Sequence, residues 1–296
     1  MIEKPVIVIV GPGVVGKTLA ILADKAGYRI GGIAARDTQK AKAAADTINQ
    51  PIATGTLEEI APLGTLVFLT VSDDAIEDVC KRLSEQKRFS AGAVVAHCSG
   101  ALSSEILSSA RELCHAHIGS MHPLQTFPNV EAGLERLPGA YCFCEGDDVA
   151  VKVLEEFSSA IGAKPVRINN PEGKLLYHAS AVMACNYFTA LLDAAITTAQ
   201  KAGINPSDAL SALEPLVRAT LDNIFANGPA KALTGPIARG DEKLIAKQFK
   251  EILAADKDLA EIYSTLGKWT VKVALEKGTI DEEKAESLRK LLSVSQ

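Results

Sequence analysis

Near the N-terminus a strand-like run, Pro5–Val10, stops at Gly11 and hands over to a helical stretch that Gly27 closes. The junction is Gly11-Pro12-Gly13-Val14-Val15-Gly16-Lys17-Thr18. A helix that starts directly from a strand-ending glycine loop offers unpaired backbone N–H groups at the positive end of its dipole, a ready site for phosphate. The segment satisfies two patterns at once. It is G-x-G-x-x-G, the dinucleotide fingerprint, and G-x-x-x-x-G-K-T, the phosphate loop of nucleoside triphosphatases. Both demand a strand–loop–helix start, which commits the chain to an α/β sheet.

The rest of the first half keeps that alternation. Strands are expected at Arg29–Ala35, Thr65–Val71, Ala93–Ala96, Leu113–Ile118, Ala140–Cys144 and Pro165–Ile168, with helices at Thr38–Asn49 and Asp74–Leu83 among those between them. Strands separated by helices predict a Rossmann-type, mostly parallel sheet with helices on both faces. The pattern changes at the turn-rich Asn169-Asn170-Pro171-Glu172-Gly173, beyond which no strong strand signal follows. Residues 1–168 are therefore expected to form the dinucleotide-binding domain and 169–296 an all-α domain, a division that suits 296 residues. Lys174–Ala202 is expected as one long helix, its apolar stretch Leu175–Ala199 buried. Asn205-Pro206-Ser207-Asp208 starts another, which Pro215 kinks or splits. Helices near Glu242–Leu253, Leu259–Glu276 and Asp281–Leu292 complete the chain.

Context favours the dinucleotide reading of the loop. The second strand ends at Ala35-Arg36, about 19 or 20 residues past Gly16, where the ribose-reading residue belongs. NAD proteins place an acid there, whereas Arg36 suits a 2′-phosphate and hence NADP(H), with the adjacent Asp37 weakening that preference. The phosphate-loop reading needs a metal-binding Asp after a later strand. Asp73 fits loosely, and no Asn-Lys-x-Asp follows. Gly11, Gly13, Val14, Val15 and Gly16 are thus the expected pyrophosphate contacts. Thr70, Val71 and Ser72, at the end of the next clear strand, face the same crevice in such a sheet, although Ser72 and Asp73 equally suit a helix cap.

Composition narrows the function classes. Against 36 Asp and Glu stand 31 Lys and Arg, a net charge of −5, which disfavours a general nucleic-acid partner. The apolar stretch after Lys174 is interrupted by His178, Asn186 and Asp193, so no membrane partner is expected. The six cysteines show no paired framework, and the chain opens on a strand with no signal-like run, so reduced thiols in the cytoplasm are expected. Cysteines and histidines crowd between Cys98 and Cys144, including His115 and His117 on one predicted strand, but no Cys-x-x-Cys occurs and no metal is expected.

Several further segments carry a resemblance. They are Ala96-His97-Cys98-Ser99-Gly100-Ala101, Ser120-Met121-His122-Pro123-Leu124-Gln125-Thr126-Phe127, Tyr177-His178-Ala179 with Asn186-Tyr187, and Leu233-Thr234-Gly235-Pro236-Ile237-Ala238-Arg239-Gly240-Asp241. Together with Gly11–Gly16 they resemble a Rossmann-like family of dinucleotide-binding oxidoreductases whose helical C-terminal domain, of the DUF2520 type, has no assigned function. The resemblance implies an NADP-type cofactor and a homodimer through the C-terminal helices, but no substrate. More distantly the layout is similar to ketopantoate reductases, β-hydroxyacid dehydrogenases, prephenate dehydrogenases and pyrroline-carboxylate reductases.

Two of those groups open the first helix after the Rossmann domain with K-x-x-x-N, where this chain has Lys174-Leu175-Leu176-Tyr177-His178. Residues four apart lie about 40° apart around a helix, so Lys174 and His178 share a face. Either suits the acid/base partner of a hydride transfer; a solvated lysine and a core histidine are the plainer alternatives. Asn186 lies roughly 80° from His178 and is a weaker candidate for the same cluster. His122 follows a strand, like the His-Pro segment of prephenate dehydrogenases. Ser99 and Gly100 follow another, where they suit cofactor or substrate contact or merely a tight turn. Arg239 suits a carboxylate clamp or a structural pair with Asp241. The function expected is an NADP-dependent oxidoreductase acting on a small keto or hydroxy acid, ketopantoate-like by analogy. A non-catalytic NADP(H) sensor or assembly protein and a phosphate-loop triphosphatase are the alternatives.

Overall fold

A computed structural model describes residues 4–293. The chain divides into two compact units between Met183 and Ala184. The first runs β1 (Ile7–Val10), α1 (Val14–Lys25), β2 (Ile30–Ala34), α2 (Thr38–Ala45), β3 (Ala53–Gly55), α3 (Leu57–Ile60), β4 (Leu66–Leu69), α4 (Asp73–Glu85), β5 (Val94–His97), α5 (Ser108–Cys114), β6 (His117–Pro123), α6 (Val130–Arg136), β7 (Tyr141–Gly146), α7 (Asp148–Ala160), β8 (Lys164–Arg167) and α8 (Lys174–Ala184). The eight strands form one sheet in the order β3-β2-β1-β4-β5-β6-β7-β8. β1, β4 and β5 are buried along their whole length, which is why they read as unbroken apolar runs: helices cover both faces. On one face Ile7, Ile9, Phe68 and Ala96 meet side chains of α1, α2 and α7. On the other Val8, Val10, Val67, Leu69, Val95 and Ile118 meet α3, α4 and α5. Each such Val, Ile or Leu withdrawn from water contributes about 1.5–3 kcal/mol before the entropy of ordering is subtracted.

Four sequence expectations are corrected in this unit. The segment expected as strand Leu113–Ile118 is divided. α5 continues to Cys114, His115 takes the left-handed conformation (φ 57°) that ends it, and β6 starts only at His117. β6 is longer than expected, reaching Pro123, and β7 pairs with it antiparallel. A short strand, β3, lies at the edge, and its residues gave no strand signal. The unit also extends one helix past the Asn169–Gly173 turn, because Lys174 of α8 is buried within it.

The second unit is helical: α9 (Asn186–Lys201), α10 (Pro206–Asn227), α11 (Pro229–Ala232), α12 (Glu242–Ala255), α13 (Lys257–Lys277) and α14 (Glu282–Leu291). Ile245, Val271, Ala285, Leu288 and Leu292 form its core. Pro215 does not split α10, which runs unbroken across it. The missing donor falls on an exposed stretch, where water can take up the freed Ser211 carbonyl. The single helix expected over Lys174–Ala202 is interrupted at Cys185, and its apolar stretch is not buried. An 18-residue window of mean hydropathy 1.4 within Lys174–Lys201, long and apolar enough to cross a membrane, has no buried residue.

Candidate functional site

The sheet reverses direction of winding between β1 and β4, and a cleft of about 640 Å³ opens there at the strands' carboxyl ends, lined by Gly11, Gly13, Arg36, Thr70, Val71 and Ser72 among others. The three loop glycines are needed for three reasons. Gly11 has φ +96°, and a Cβ on it would stand 2.7 Å from Val71 Cγ1. A Cβ on Gly16 would stand 2.5 Å from Thr70 Oγ1 and 2.7 Å from the Gly11 carbonyl oxygen, so this glycine lets α1 pack onto the strand ends. Gly13 has nothing within 4 Å and faces open space. It is also the N-cap of α1 without a side-chain cap, so the first-turn N–H groups of Val14, Val15 and Gly16 have no intrahelical acceptor. These features fit a pyrophosphate. Thr70 serves the loop itself, its hydroxyl donating to the Gly11 carbonyl at 2.7 Å.

The charges around this cleft suit an additional phosphate. Arg36, Lys40 and Arg82 line it beside Asp37 and Asp78, and Arg82 is paired with Glu58, which leaves Arg36 and Lys40 as the cations for a phosphate. Asp37, the one feature that weakened an NADP reading, is occupied as the N-cap of α2, accepting from Gln39 N–H at 3.0 Å. Thr18 argues against the phosphate-loop alternative. It is fully buried, it donates to the Val14 carbonyl at 2.8 Å, and it packs against Gly133. It does not face the cleft, where a metal-binding hydroxyl would have to be.

Further along the same sheet edge, a buried polar row crosses three strands. His97 of β5 is in register with Ser120 of β6, and Ser120 with Glu145 of β7. Register partners project to one face, here the face of Val95 and Ile118, two residues earlier on their strands. Lys174 reaches into this row. Its Nζ donates to Ser120 Oγ and, at 3.1 Å, to Glu145 Oε1, with both charged side chains 1% exposed. Burial pushes the Lys174 pKa down, opposed mainly by the Glu145 carboxylate. His97 is held on both sides. Its Nδ1 accepts from Ser99 N–H at 3.1 Å, and its Nε2–H donates to the Ser103 carbonyl at 3.2 Å. Burial, aided by Lys174, lowers its pKa to about 3, so it is neutral.

Alternation along β6 and β7 puts His122 and Phe143 on that same face, two residues from Ser120 and Glu145. There α8 meets them with its next turn. A 2.9 Å hydrogen bond joins the Tyr177 hydroxyl to His122 Nδ1, and the tyrosine ring lies 4.5 Å from that of Phe143. His178 stands edge-on to His122 with ring centroids 5.8 Å apart. His178 Nδ1 is buried without a partner among the described residues. Both imidazoles press on Gly100, whose absent Cβ would lie 2.5 Å from His178 Nδ1 and 2.8 Å from His122 Nε2. Burial, with His178 and the Lys174 ammonium nearby, lowers the His122 pKa to about 4, and burial raises that of Tyr177. At neutral pH this is an uncharged imidazole bonded to a protonated phenol, a hydrogen-bond donor and acceptor in direct contact.

The structure therefore brings together His122, His178 and Gly100, and adds Tyr177. Lys174 lies deeper than His178, enclosed by Ser120 and Glu145. Ser99 is committed to its turn: its hydroxyl donates to Asp73 Oδ2 at 2.6 Å and accepts the Ala101 and Leu102 N–H groups. Ser72 is the N-cap residue of α4. Asn186 and Arg239 belong to the helical unit and are exposed. Arg239 has no ion pair with Asp241, which caps α12 by accepting from Leu244 N–H at 3.1 Å. Glu145, Ser120 and His97 join this cluster without a sequence signal that marks them as site candidates, and Tyr177 joins it as well. Tyr177 sits between Lys174 and His178 at helical spacing, a signal within reach of sequence reasoning. Among the described residues no group of three or more His, Cys, Asp or Glu side chains is placed to hold a metal.

Residues 3–123 match the model of a Rossmann-like domain, and residues 140–270 match that of a domain of unknown function, DUF2520. The chain is a Rossmann-like protein carrying DUF2520. Among solved structures, this Rossmann-like DUF2520 protein is similar to a Thermotoga maritima protein, with 25% identity over 92% of this chain and 100% of that one, TM-score 0.73. It is similar in fold to an imine reductase from Pseudomonas sp. (19% identity, 98% and 100% covered, TM-score 0.65). A reductive aminase from Aspergillus terreus, solved with NADPH and ethyl levulinate, is a further neighbour (17%, 97% and 99% covered, TM-score 0.63). No curated protein matches the chain.

Proposed function

We propose that this Rossmann-like DUF2520 protein is an NADP(H)-dependent oxidoreductase that reduces a C=O or C=N bond of a small molecule, with His178 and the Tyr177–His122 pair as its proton-handling groups. The observation that carries this reading is the convergence of two imidazoles and a phenol at the carboxyl end of β6. That end lies on the same sheet edge as the glycine loop, because β1, β4, β5 and β6 run parallel. The nicotinamide cofactor, when bound, supplies or accepts the hydride. Gly13 and the N-terminus of α1 would hold its pyrophosphate, while Arg36 and Lys40 would pair with a 2′-phosphate. The titrating groups would then place or remove a proton at the substrate oxygen or nitrogen. A keto or hydroxy acid of the ketopantoate kind remains the leading substrate class. The fold likeness to an imine reductase adds C=N substrates to the screen.

The test is a thermal-shift series with NADPH, NADH, ATP and GTP, followed by NADPH oxidation against 2-keto acids and against ketone–amine mixtures. NADPH at a hundredfold over its Kd is expected to add about 2.7 kcal/mol of apparent stability. Arg36→Ala is expected to diminish the NADPH shift while leaving that of NADH. Stabilisation by ATP without NADPH would establish the triphosphatase alternative. NADPH binding with no turnover on any carbonyl or imine would establish the sensor alternative.

The assembly expected is a homodimer through the helical unit. That unit exposes Leu210, Leu216, Trp269 and, at 85%, Phe225, and it contains an apolar groove of about 780 Å³ between α9, α12 and α13. Light scattering should give twice the 31.2 kDa chain mass, and a monomer at micromolar concentration would refute the dimer.

A further inference from the structure

Among its described residues, α8 buries a single side chain, and that side chain is the charged Lys174. Leu175 and Leu176, its apolar neighbours, are 67% and 78% exposed. An apolar stripe therefore does not fix this helix on the sheet. What ties it down is polar. Lys174 Nζ bonds Ser120 and Glu145, and Glu145 is itself pinned, accepting Ser104 N–H at 2.8 Å and Ser104 Oγ–H at 2.7 Å. Strands β6 and β7, the turn at Ser104 and the start of α8 all meet at one buried carboxylate. Three and four residues later come Tyr177 and His178, about one turn up the helix.

We infer that Lys174 and Glu145 are a positioning pair that fixes the register of α8 on the sheet, bringing Tyr177 to His122 and His178 to Gly100, and that Lys174 exchanges no proton with substrate. Two of its three donors are engaged by protein, and its side chain is 1% exposed. A lysine that met substrate directly would present its amine to the site. This one is enclosed by a carboxylate that has no other cation among the described residues. Removing one member alone leaves the other as an uncompensated buried charge, whereas removing both charges together need not harm the fold. That asymmetry separates positioning from catalysis. The inference rests on the proposed function only for its activity readout.

The experiment compares wild type, Glu145→Gln, Lys174→Met and the double variant. In Glu145→Gln the new side chain keeps both bonds to Ser104, its carbonyl oxygen accepting the N–H and its amide donating to the hydroxyl. In Lys174→Met the thioether chain fills the space of the lysine stem. Lys174→Met alone is expected to lose at least a hundredfold in kcat and to melt earlier. The double variant is expected to melt later than Lys174→Met and to regain at least tenfold in kcat. The ring-proton resonances of His122 and His178, displaced in Lys174→Met, should return towards their wild-type positions. A double variant that melts and binds NADPH like wild type yet stays as inactive as Lys174→Met would make Lys174 the acid/base and overturn the inference. So would melting temperatures that are simply additive, or histidine resonances indifferent to both changes. If Lys174→Met fails to fold, Glu145→Gln against the double variant carries the same comparison. If wild type turns over none of the substrates, the proposed function fails, while the melting and resonance comparisons still decide the pair.

Discussion

Gly100→Ala is expected to cut turnover by about two orders of magnitude while NADPH still raises the melting temperature as it does in wild type. The backbone at Gly100 is not in the left-handed region, so alanine is tolerated conformationally and the penalty is local and steric. Its Cβ would overlap His178 Nδ1 at 2.5 Å and His122 Cε1 and Nε2 at 2.8 Å, separations that real Cβ atoms do not show. The rings must move. His122 cannot do so freely, because its Nδ1 is bonded to Tyr177. Displacing a reacting group by about 1 Å costs on the order of a hundredfold in rate. Cofactor affinity is spared because the glycine loop lies on β1 and α1, away from the β5 turn that carries Gly100. Measuring kcat and the NADPH-induced shift on the same preparation checks both halves. Wild-type turnover in Gly100→Ala would remove the two histidines from the reacting centre.

The parts of this fold legible in the sequence are those set by local signals. The glycine loop, the apolar strands β1 and β4 and the helix caps announce themselves within a few residues. Strand direction does not. β6 and β7 are joined through α6 by a connection long enough for a parallel crossover, and only their pairing, Ser120 with Glu145, reveals the antiparallel turn. The buried row was hidden for the same reason. His97, Ser120 and Glu145 are more than twenty residues apart from one another, and sheet register alone makes them neighbours. Lys174 and His178 were visible as a helical i, i+4 pair, but spacing says which face they share and not how deep each lies. Hydropathy likewise identified Leu175–Ala199 as apolar without saying what would cover it. Burial depends on neighbours, and a sequence window contains none of them.

The two neutral histidines make the sheet unit sensitive to mild acid. In the unfolded chain both take up a proton near the ordinary value of 6.5; in the fold His122 does so at about 4 and His97 at about 3, chiefly because burial disfavours the charged ring. A depressed folded value means that the unfolded state binds more protons as pH falls. Stability is therefore fully present above pH 6.5 and is lost on the way down towards the folded values. Each group removes up to about 1.4 kcal/mol per pH unit in that window, on the order of 3 kcal/mol for His122 and 5 kcal/mol for His97 in all. A domain's total is about 5–15 kcal/mol, so the two rings together remove a large part of the unit's stability between about pH 6.5 and 4. Carboxylates with lowered values, such as Asp256 in the helical unit, lose their contribution only below about pH 4, the lower end of this range. Denaturant midpoints should be level from pH 8 to 7 and fall steeply below 6.5. His122→Asn, which keeps an acceptor for the Tyr177 hydroxyl but cannot titrate, should roughly halve the slope between pH 6 and 5. A wild-type midpoint that does not change between pH 7 and 5 would mean that these rings are not held neutral, and the uncharged Tyr177–His122 pair in the proposed reaction would lose its basis.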